Sequence, residues 1–374
     1  MKYETLGNYI QPVDERNSIS KALPLLGVSI NKCFIPSVAN IVGTDLSNYK
    51  IIRKNQFACS LMQVSRDEKI PIDCLTDYES AIVSPAYYVF EVSNIKKLLP
   101  QYLSMWFKRP EFDREASFLG VGGVRGSMTW NDFRGMRFPV PSLEKQKSMV
   151  KSYQVITDRI LLKRRINDNL EAQIRASYSE LTSFAGGRVG KLKDFVTTQY
   201  GFTASATNKN TGTRFLRITD IAQKFIDWSS VPFCNIPDHE MDKYQLQAGD
   251  IVVARTGATV GTAQIIGKLV PISVFASYLV RITPKLDEYK YLLGLSITSE
   301  EYRLFIQTNA GGSAQPQANA QLMTEFDVFI PPDKMINSFN EQVKPFFEVI
   351  ELNQVEIARL NKLLETTVSS ISIL

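Results

Sequence analysis

The chain of 374 residues writes much of itself twice. "RINDNLE" (165–171) returns as "RLNKLLE" (359–365), 194 positions on, and other pairs fall in behind it. "FRGMRFPVPS" (133–142) answers "MTEFDVFIPP" (323–332) and "AYYVF" (86–90) answers "ASYLV" (276–280), both 190 residues apart. "YKIIRKNQFACS" (49–60) answers "YQLQAGDIVVAR" (244–255) once a residue is gapped, and "YETLGNYI" (3–10) resembles "VGKLKDFV" (189–196). The matches keep one order in both halves. Such a chain is expected to build one scaffold twice, so whatever explains one half must also serve the other.

Each half changes character along its length. Its first part is rich in β-branched and aromatic runs broken by Gly, Pro, Asn and Asp, as in "AIVSPAYYVFEV" and "GDIVVARTGATVGTAQIIG", the pattern of short strands and turns. Helical spacing appears in "LLPQYLSMWFKRPEFDREA" and "EYKYLLGLSITSEEYRLFIQT". Then a proline pair, "FPVPS" or "FIPPD", gives way to helix formers.

Both helix-forming segments carry a seven-residue period. In the second, Val343, Ile350, Ile357, Leu364 and Ile371 recur, with Phe346, Asn353, Leu360, Thr367 and Leu374 interleaved. In the first, Tyr153, Ile160, Asn167, Ile174 and Leu181 recur, with Ile156, Lys163, Leu170 and Ser177 interleaved. These are heptad seams. A helix of about 35 residues spans roughly 50 Å and must pack on a partner helix, for which its own copy is the natural choice. The expected fold is α+β: two β-rich domains, 1–142 and 186–332, joined by two long antiparallel helices, 143–185 and 333–374. Those helices would form a coiled-coil spacer, and the two halves a pseudo-twofold internal repeat. "FAGGRVG" (184–190) suits the turn between them.

Composition narrows the chemistry. A single histidine, His239, rules out triads and His-metal clusters within one chain. Cys33, Cys59, Cys74 and Cys234 lack any CxxC or Cys/His ligand spacing, so buried or idle thiols are expected in place of zinc or disulfides. No apolar stretch approaches the ~18 residues of a membrane span, and "MKYETLGNYI" has no signal-peptide pattern, which points to the cytoplasm. There is no GxxxxGK[ST] loop, and "IPPDK" has the prolines of an adenine-methylase motif with the wrong flanking residues. "GVGGVRG" (120–126) lacks a βαβ setting, so it reads as a turn. The net charge of +5 permits a nucleic-acid partner. Two similar domains on a rigid spacer make a calliper, and DNA presents equivalent groove faces about 34 Å apart. Two non-identical halves would read a split, asymmetric target.

The sequence resembles the specificity subunits of type I restriction-modification systems. The likeness lies in "GDIVVARTGATVGTA" (249–263), in "MQVSRDEKIPI" (62–72) with "SPAYYVFE" (84–91), and in "RFPVPSLEKQKSMV" (137–150). The last is similar to the Pro-x-x-x-Glu-Gln entry of the family's conserved helix, although Lys145 separates Glu144 from Gln146, and "IPPDKMINSF" lacks the pair. The resemblance implies two target-recognition domains binding double-stranded DNA, without catalysis or cofactor in this chain. It also implies two methyltransferase and two restriction (motor-nuclease) subunits as partners, which would bring S-adenosylmethionine, ATP and Mg. Two other readings stand beside it: a related system whose partner fuses methylase and nuclease, and a helical scaffold whose β-rich domains bind peptides.

Candidate DNA-contacting residues follow from side-chain chemistry. Arg255, Thr256, Gly257 and Thr259 follow the strand "DIVVA": arginine suits bidentate contact with guanine, and small neighbours admit phosphates. Met62, Gln63 and Arg66 are their counterparts by repeat alignment. "GGVRGSMTW" (122–130) and "GGSAQPQANA" (311–320) offer Arg125, Ser127, Gln315 and Gln317 on polar loops. Lys21, Lys32, Lys209, Arg214 and Arg217 are candidate phosphate contacts. On the helices, Asn167 and Asn361, with Leu170 and Leu364, share "R-[IL]-N-x-x-L-E", and a buried pairing of the two asparagines would fix register.

Overall fold

The computed structural model describes residues 3–19, 22–37, 44–62, 64–121, 126–184, 186–312, 316–369 and 371. They form two compact units, Met1–Arg159 with Asn361–Leu374, and Ile160–Leu360.

Unit 1 contains β1 (Tyr3–Thr5), β2 (Ile10–Val13), β3 (Leu25–Val28), β4 (Phe34–Pro36), β5 (Lys50–Arg53) and β6 (Phe57–Cys59). After these come α1 (Val64–Asp67), β7 (Ile72–Cys74), β8 (Ser80–Val83), β9 (Tyr88–Val92), α2 (Pro100–Phe107), α3 (Pro110–Gly120), α4 (Trp130–Gly135) and β10 (Arg137–Pro139). One antiparallel sheet has the order β2-β9-β6-β7, a second has the order β4-β3-β8-β5, and β1 pairs with β10. Within the second sheet β3 and β8 run parallel.

The local causes are plain. Pro100 and Pro110 stand in the first turns of α2 and α3, where their missing N–H is no loss. Phe112 and Ala116, four apart on α3, are both buried on its inner face. Thr129 and Asp132 close a capping box at the start of α4. The core is aromatic: Phe90 stacks on Phe57 at 5.0 Å and meets Phe107, Trp130 and Phe133 between 5.6 and 6.2 Å.

The long helix α5 (Leu143–Thr182) begins in unit 1. Its fully buried Gln146 accepts from the Leu99 amide and donates to the carbonyls of Lys97 and Pro141, tying the helix to the domain body.

Unit 2 contains β11 (Arg188–Lys191), β12 (Val196–Tyr200), β13 (Arg214–Leu216), α6 (Ile218–Ile221), α7 (Asp238–Tyr244), β14 (Ile251–Ala254), β15 (Ala263–Ile265) and β16 (Ser273–Phe275). It continues with β17 (Leu279–Pro284), α8 (Lys290–Ile297), α9 (Glu300–Asn309), α10 (Ala320–Thr324) and β18 (Asp327–Ile330), and α11 (Asp333–Ser369) follows. The sheet β12-β17-β14-β15 repeats the order of the first sheet of unit 1, and β11 pairs with β18 as β1 does with β10. β13 and β16 are parallel, as β3 and β8 are, but their sheet stops at two strands. All four residues of β14 are buried, which explains why "IVVA" is a continuous apolar run without alternation.

Both heptad seams face inward. On α5, Ile160, Asn167, Ile174 and Leu181 are buried; on α11, Val343, Ile350 and Asn353 are, and so is Ile371 beyond its end. Inside unit 2 the two helical stretches run antiparallel. Tyr178 meets Phe339 with ring centres 6.4 Å apart, Asn353 bonds Asn167 at 2.8 Å, and Lys163 pairs with Glu356 at 2.6 Å. In unit 1, Val150 and Ile371 belong to one apolar cluster.

Candidate nucleic-acid interface

In unit 2, two loops that lie far apart in sequence become one surface. Ala318 N–H donates to the Arg255 carbonyl at 2.9 Å, Gly257 N–H donates to the Pro316 carbonyl at 3.0 Å, and Thr256 forms a β-bridge with Gln317. Gly257 has φ +76°, open to glycine, and a Cβ there would meet nothing within 4 Å, so the surface stays clear at that point. Gln317 is exposed and Thr259 half-buried, whereas Thr256 is buried and contributes its backbone.

Arg255 is the chemical centre of this platform. Its amide donates to the Tyr278 carbonyl at 3.0 Å, and its guanidinium lies 4.8 Å from the centre of the Tyr200 ring. Nε is shut off from solvent with no acceptor among the described residues. An arginine held partly out of water with a donor unmet is suited to bind an acceptor from outside. The exposed Tyr200 ring lies against it, and Tyr278, also exposed, meets it through the backbone; sequence reasoning missed both. The signal was present for Tyr278, since the repeated "AYYVF" and "ASYLV" set a tyrosine, Tyr88 or Tyr278, at the same place in both copies.

Unit 1 builds the matching junction with other groups. Met128 N–H donates to the Leu61 carbonyl at 2.9 Å, in the place where Ala318 meets Arg255. Gly126 has φ +72°, and a Cβ there would come within 2.1 Å of Ser65 Oγ, so only glycine lets the loops close. The structural counterpart of Arg255 is therefore Leu61, which is buried; the alignment to Met62, Gln63 and Arg66 is shifted off it. Met62 is exposed beside it, and Tyr88 stacks on Trp130 at 5.1 Å with rings 3° from parallel. Arg66 is exposed but pairs with Asp67 at 2.8 Å, which raises its pKa, and Ser127 is half-buried and partnered. Gln63, Arg125, Gln315 and Lys21 lie outside the described residues.

Of the expected phosphate contacts, Lys209 alone is an exposed cation with no ionic partner among the described residues. Lys32 is a correction. It is 6% exposed, its ammonium lies 2.7 Å from Asp113, and it also bonds the Phe107 carbonyl. Burial lowers its pKa against the pull of Asp113, and a sealed lysine of this kind cannot reach a phosphate. Arg214 is likewise occupied, by the Val231 and Ser229 carbonyls and by the Phe233 ring at 4.0 Å. Arg217 is held by Asp220 in the capping box of α6, which raises its pKa.

The helix residues also need correction. Asn167 pairs with Asn353, whose own Oδ1 accepts from Lys163 Nζ at 2.8 Å, while Asn361 is exposed. Leu170 and Leu364 are half-buried on their seams. Asn353 stands on the second heptad seam, so the pairing was available to a reading that compared seam positions instead of the copied heptapeptide. Among the described residues no group of three or more His, Cys, Asp or Glu side chains could hold a metal ion. Cys59, Cys74 and Cys234 are buried; burial pushes Cys74 up to about 12 and Cys234 up to about 11, while Cys33 is exposed. No described helix is long and apolar enough to cross a membrane.

Each of the two units is a mixed α/β body that offers one loop platform. Residues 188–362 match the family described as the type I restriction modification DNA specificity domain. In that stretch the chain is similar to the type I restriction-modification specificity subunits. A curated relative, the type I restriction enzyme MjaVIII specificity subunit of Methanocaldococcus jannaschii, is 25% identical over 62% of this chain. That match spans 60% of the relative's length. The crystal structure of a type I restriction-modification system S subunit from M. genitalium shares the fold over 99% of this chain and 95% of that one, with a TM-score of 0.62 at 10% identity.

Proposed function

We propose that this chain is the DNA-recognition subunit of a type I restriction-modification complex and reads a split, asymmetric double-stranded target. Residues 1–142 and 186–332 each read one half-site, and 143–185 with 333–374 form a coiled-coil spacer that sets the gap. The halves are then related by a pseudo-twofold repeat. The observation that carries this reading is the recurrence of one junction, Leu61–Met128 and Arg255–Ala318, with different side chains on the same strand order. A scaffold repeated with altered loop chemistry suits two different half-sites better than one partner bound twice.

The chain itself does no chemistry in this reading. Methyltransferase and restriction subunits, two of each, are recruited along the helices and supply S-adenosylmethionine, ATP and Mg chemistry in the cytoplasm. Leu161 and Leu162 on α5 and Leu352 on α11 are exposed apolar residues on otherwise polar helix faces, as a docking surface requires.

Base reading and phosphate binding separate by mutation. Arg255→Ala should cost about 1–3 kcal/mol of discrimination at one base pair. Lys209→Ala should instead weaken all sequences alike and flatten the salt dependence by about one unit of slope. Binding titrations at several salt concentrations check both. An Arg255→Ala chain with unchanged target preference would remove the loop assignment.

A further inference from the structure

We infer that Tyr200 is the positioning residue for Arg255, and that it fixes the guanidinium so that the platform of unit 2 reads a guanine. This rests on the DNA-recognition reading above and goes further by naming the base and the residue that orients its reader.

Tyr200 is held from two sides. Its backbone ends β12, paired with Val280 on β17, which in turn pairs with Val253 on β14. Its hydroxyl accepts from the Ala320 amide at 3.0 Å, at the first turn of α10. The ring is thus anchored to the sheet at one end and to the helix start at the other. The guanidinium carbon of Arg255, one residue past β14, lies 4.8 Å from the ring centre.

A π face attracts a cation without consuming any of its N–H donors. Arg255 therefore gains a fixed place while its terminal nitrogens stay available, and Nε is already desolvated without an acceptor. Restraint before binding removes the rotamer entropy that a free arginine would lose on binding, which is how preorganisation raises affinity and sharpens orientation. Guanine offers two acceptors, O6 and N7, at the spacing of the terminal fork. A phosphate also accepts from arginine, but it is served as well by a mobile side chain; an anchored plane gains most where the ligand is itself planar and fixed. Unit 1 has buried Leu61 in this place, so the guanine preference should appear in one half-site only.

The test uses the full-length chain with a randomised double-stranded DNA library, sequencing the bound fraction and recording thermal melting for each variant. Arg255→Lys should reduce the guanine preference at one position of one half-site by tenfold or more. Tyr200→Thr, a residue that suits a strand, should reduce it at that same position by about threefold to tenfold, with the other positions unchanged. Tyr200→Phe, which keeps the ring and its place on the sheet and gives up only the bond from the Ala320 amide, should retain most of it. A role confined to folding would lower melting and total binding but would not move one base preference. If Arg255→Lys alters that position and Tyr200→Thr does not, the positioning role is overturned while the platform stands. Tyr200→Phe behaving as Tyr200→Thr overturns the ring as the agent. If Arg255→Lys weakens every sequence alike, the contact is a phosphate and the guanine assignment fails. A wild-type chain that enriches no motif overturns the underlying reading itself.

Discussion

The two units share a strand order and part company in three places. The sheet around the parallel pair has four strands in unit 1 and two in unit 2. The platform carries a buried leucine and a Tyr88–Trp130 stack in unit 1, but an arginine against a tyrosine in unit 2. At the helix entry, unit 1 uses buried Gln146 to bond the domain body, whereas the position 190 residues on is buried, apolar Ile336. What is kept is backbone pairing; what changes is the side-chain chemistry hung on it. That division is expected where one scaffold serves two recognition tasks.

The largest effect to look for lies in the cores. Phe90 in unit 1 corresponds to Val280 in unit 2, both fully buried. Phe90→Ala should cost about 3–5 kcal/mol and Val280→Ala roughly 2 kcal/mol, because far fewer buried methylene equivalents are lost. Hydrogen exchange should place each loss in its own unit. Loss of protection in both units from either variant would break the comparison, by showing one cooperative core.

The helix seam differs as well. Its stretch in unit 2 carries the Lys163–Asn353–Asn167 chain with both asparagines buried, while in unit 1 Val150 and Ile371 belong to one apolar cluster. Asn353→Ala should destabilise by about 1–3 kcal/mol, since Asn167 is left buried without its partner. The double variant Asn167→Leu with Asn353→Leu should be as stable as wild type or more so, yet lose the feature that selects one register. Melting curves together with the gap in the bound DNA motif would show both; a double variant with an unchanged, single gap length would assign register to the apolar residues alone.

A smaller, pH-dependent difference belongs to unit 1. Burial raises the pKa of Asp73 against the pull of Lys108 and the bonds from the Cys74 and Phe34 backbone. Because the folded pKa lies above the unfolded one, the cost is absent in acid and appears as pH rises through the folded value. Asp73→Asn should therefore raise the melting temperature of unit 1 slightly at neutral pH, and the gain should vanish in acid. A gain that persists unchanged at low pH would point to packing instead of charge.

Periodic features were readable from the sequence because periodicity is local. Long helices, α5 and α11, do follow the two proline pairs, and one four-strand order occurs in each unit. The turn at Arg255 was readable because a fully apolar strand ends there in small, glycine-containing residues. Lys32 was not, because its burial depends on Asp113, 81 residues away, and on the local turn that places it there. Pairing Asn167 with Asn361 failed because identical heptapeptides need not face each other in an antiparallel pair; the partner of a seam residue is set by position along the helix. The joining of 255–259 with 316–318, and the place of Tyr200 beneath Arg255, are tertiary facts without a linear signature.

The central claim is that the helices measure a gap while the platforms read bases. Seven residues inserted in register into each helix, after Arg159 and after Leu360, would add about 10 Å, or about three base pairs. Single-molecule methylation sequencing of host DNA should then show the same two half-sites with a wider gap, and no such motif when the chain is removed. Altered half-sites at an unchanged gap, or a single uninterrupted motif in the wild type, would contradict the account.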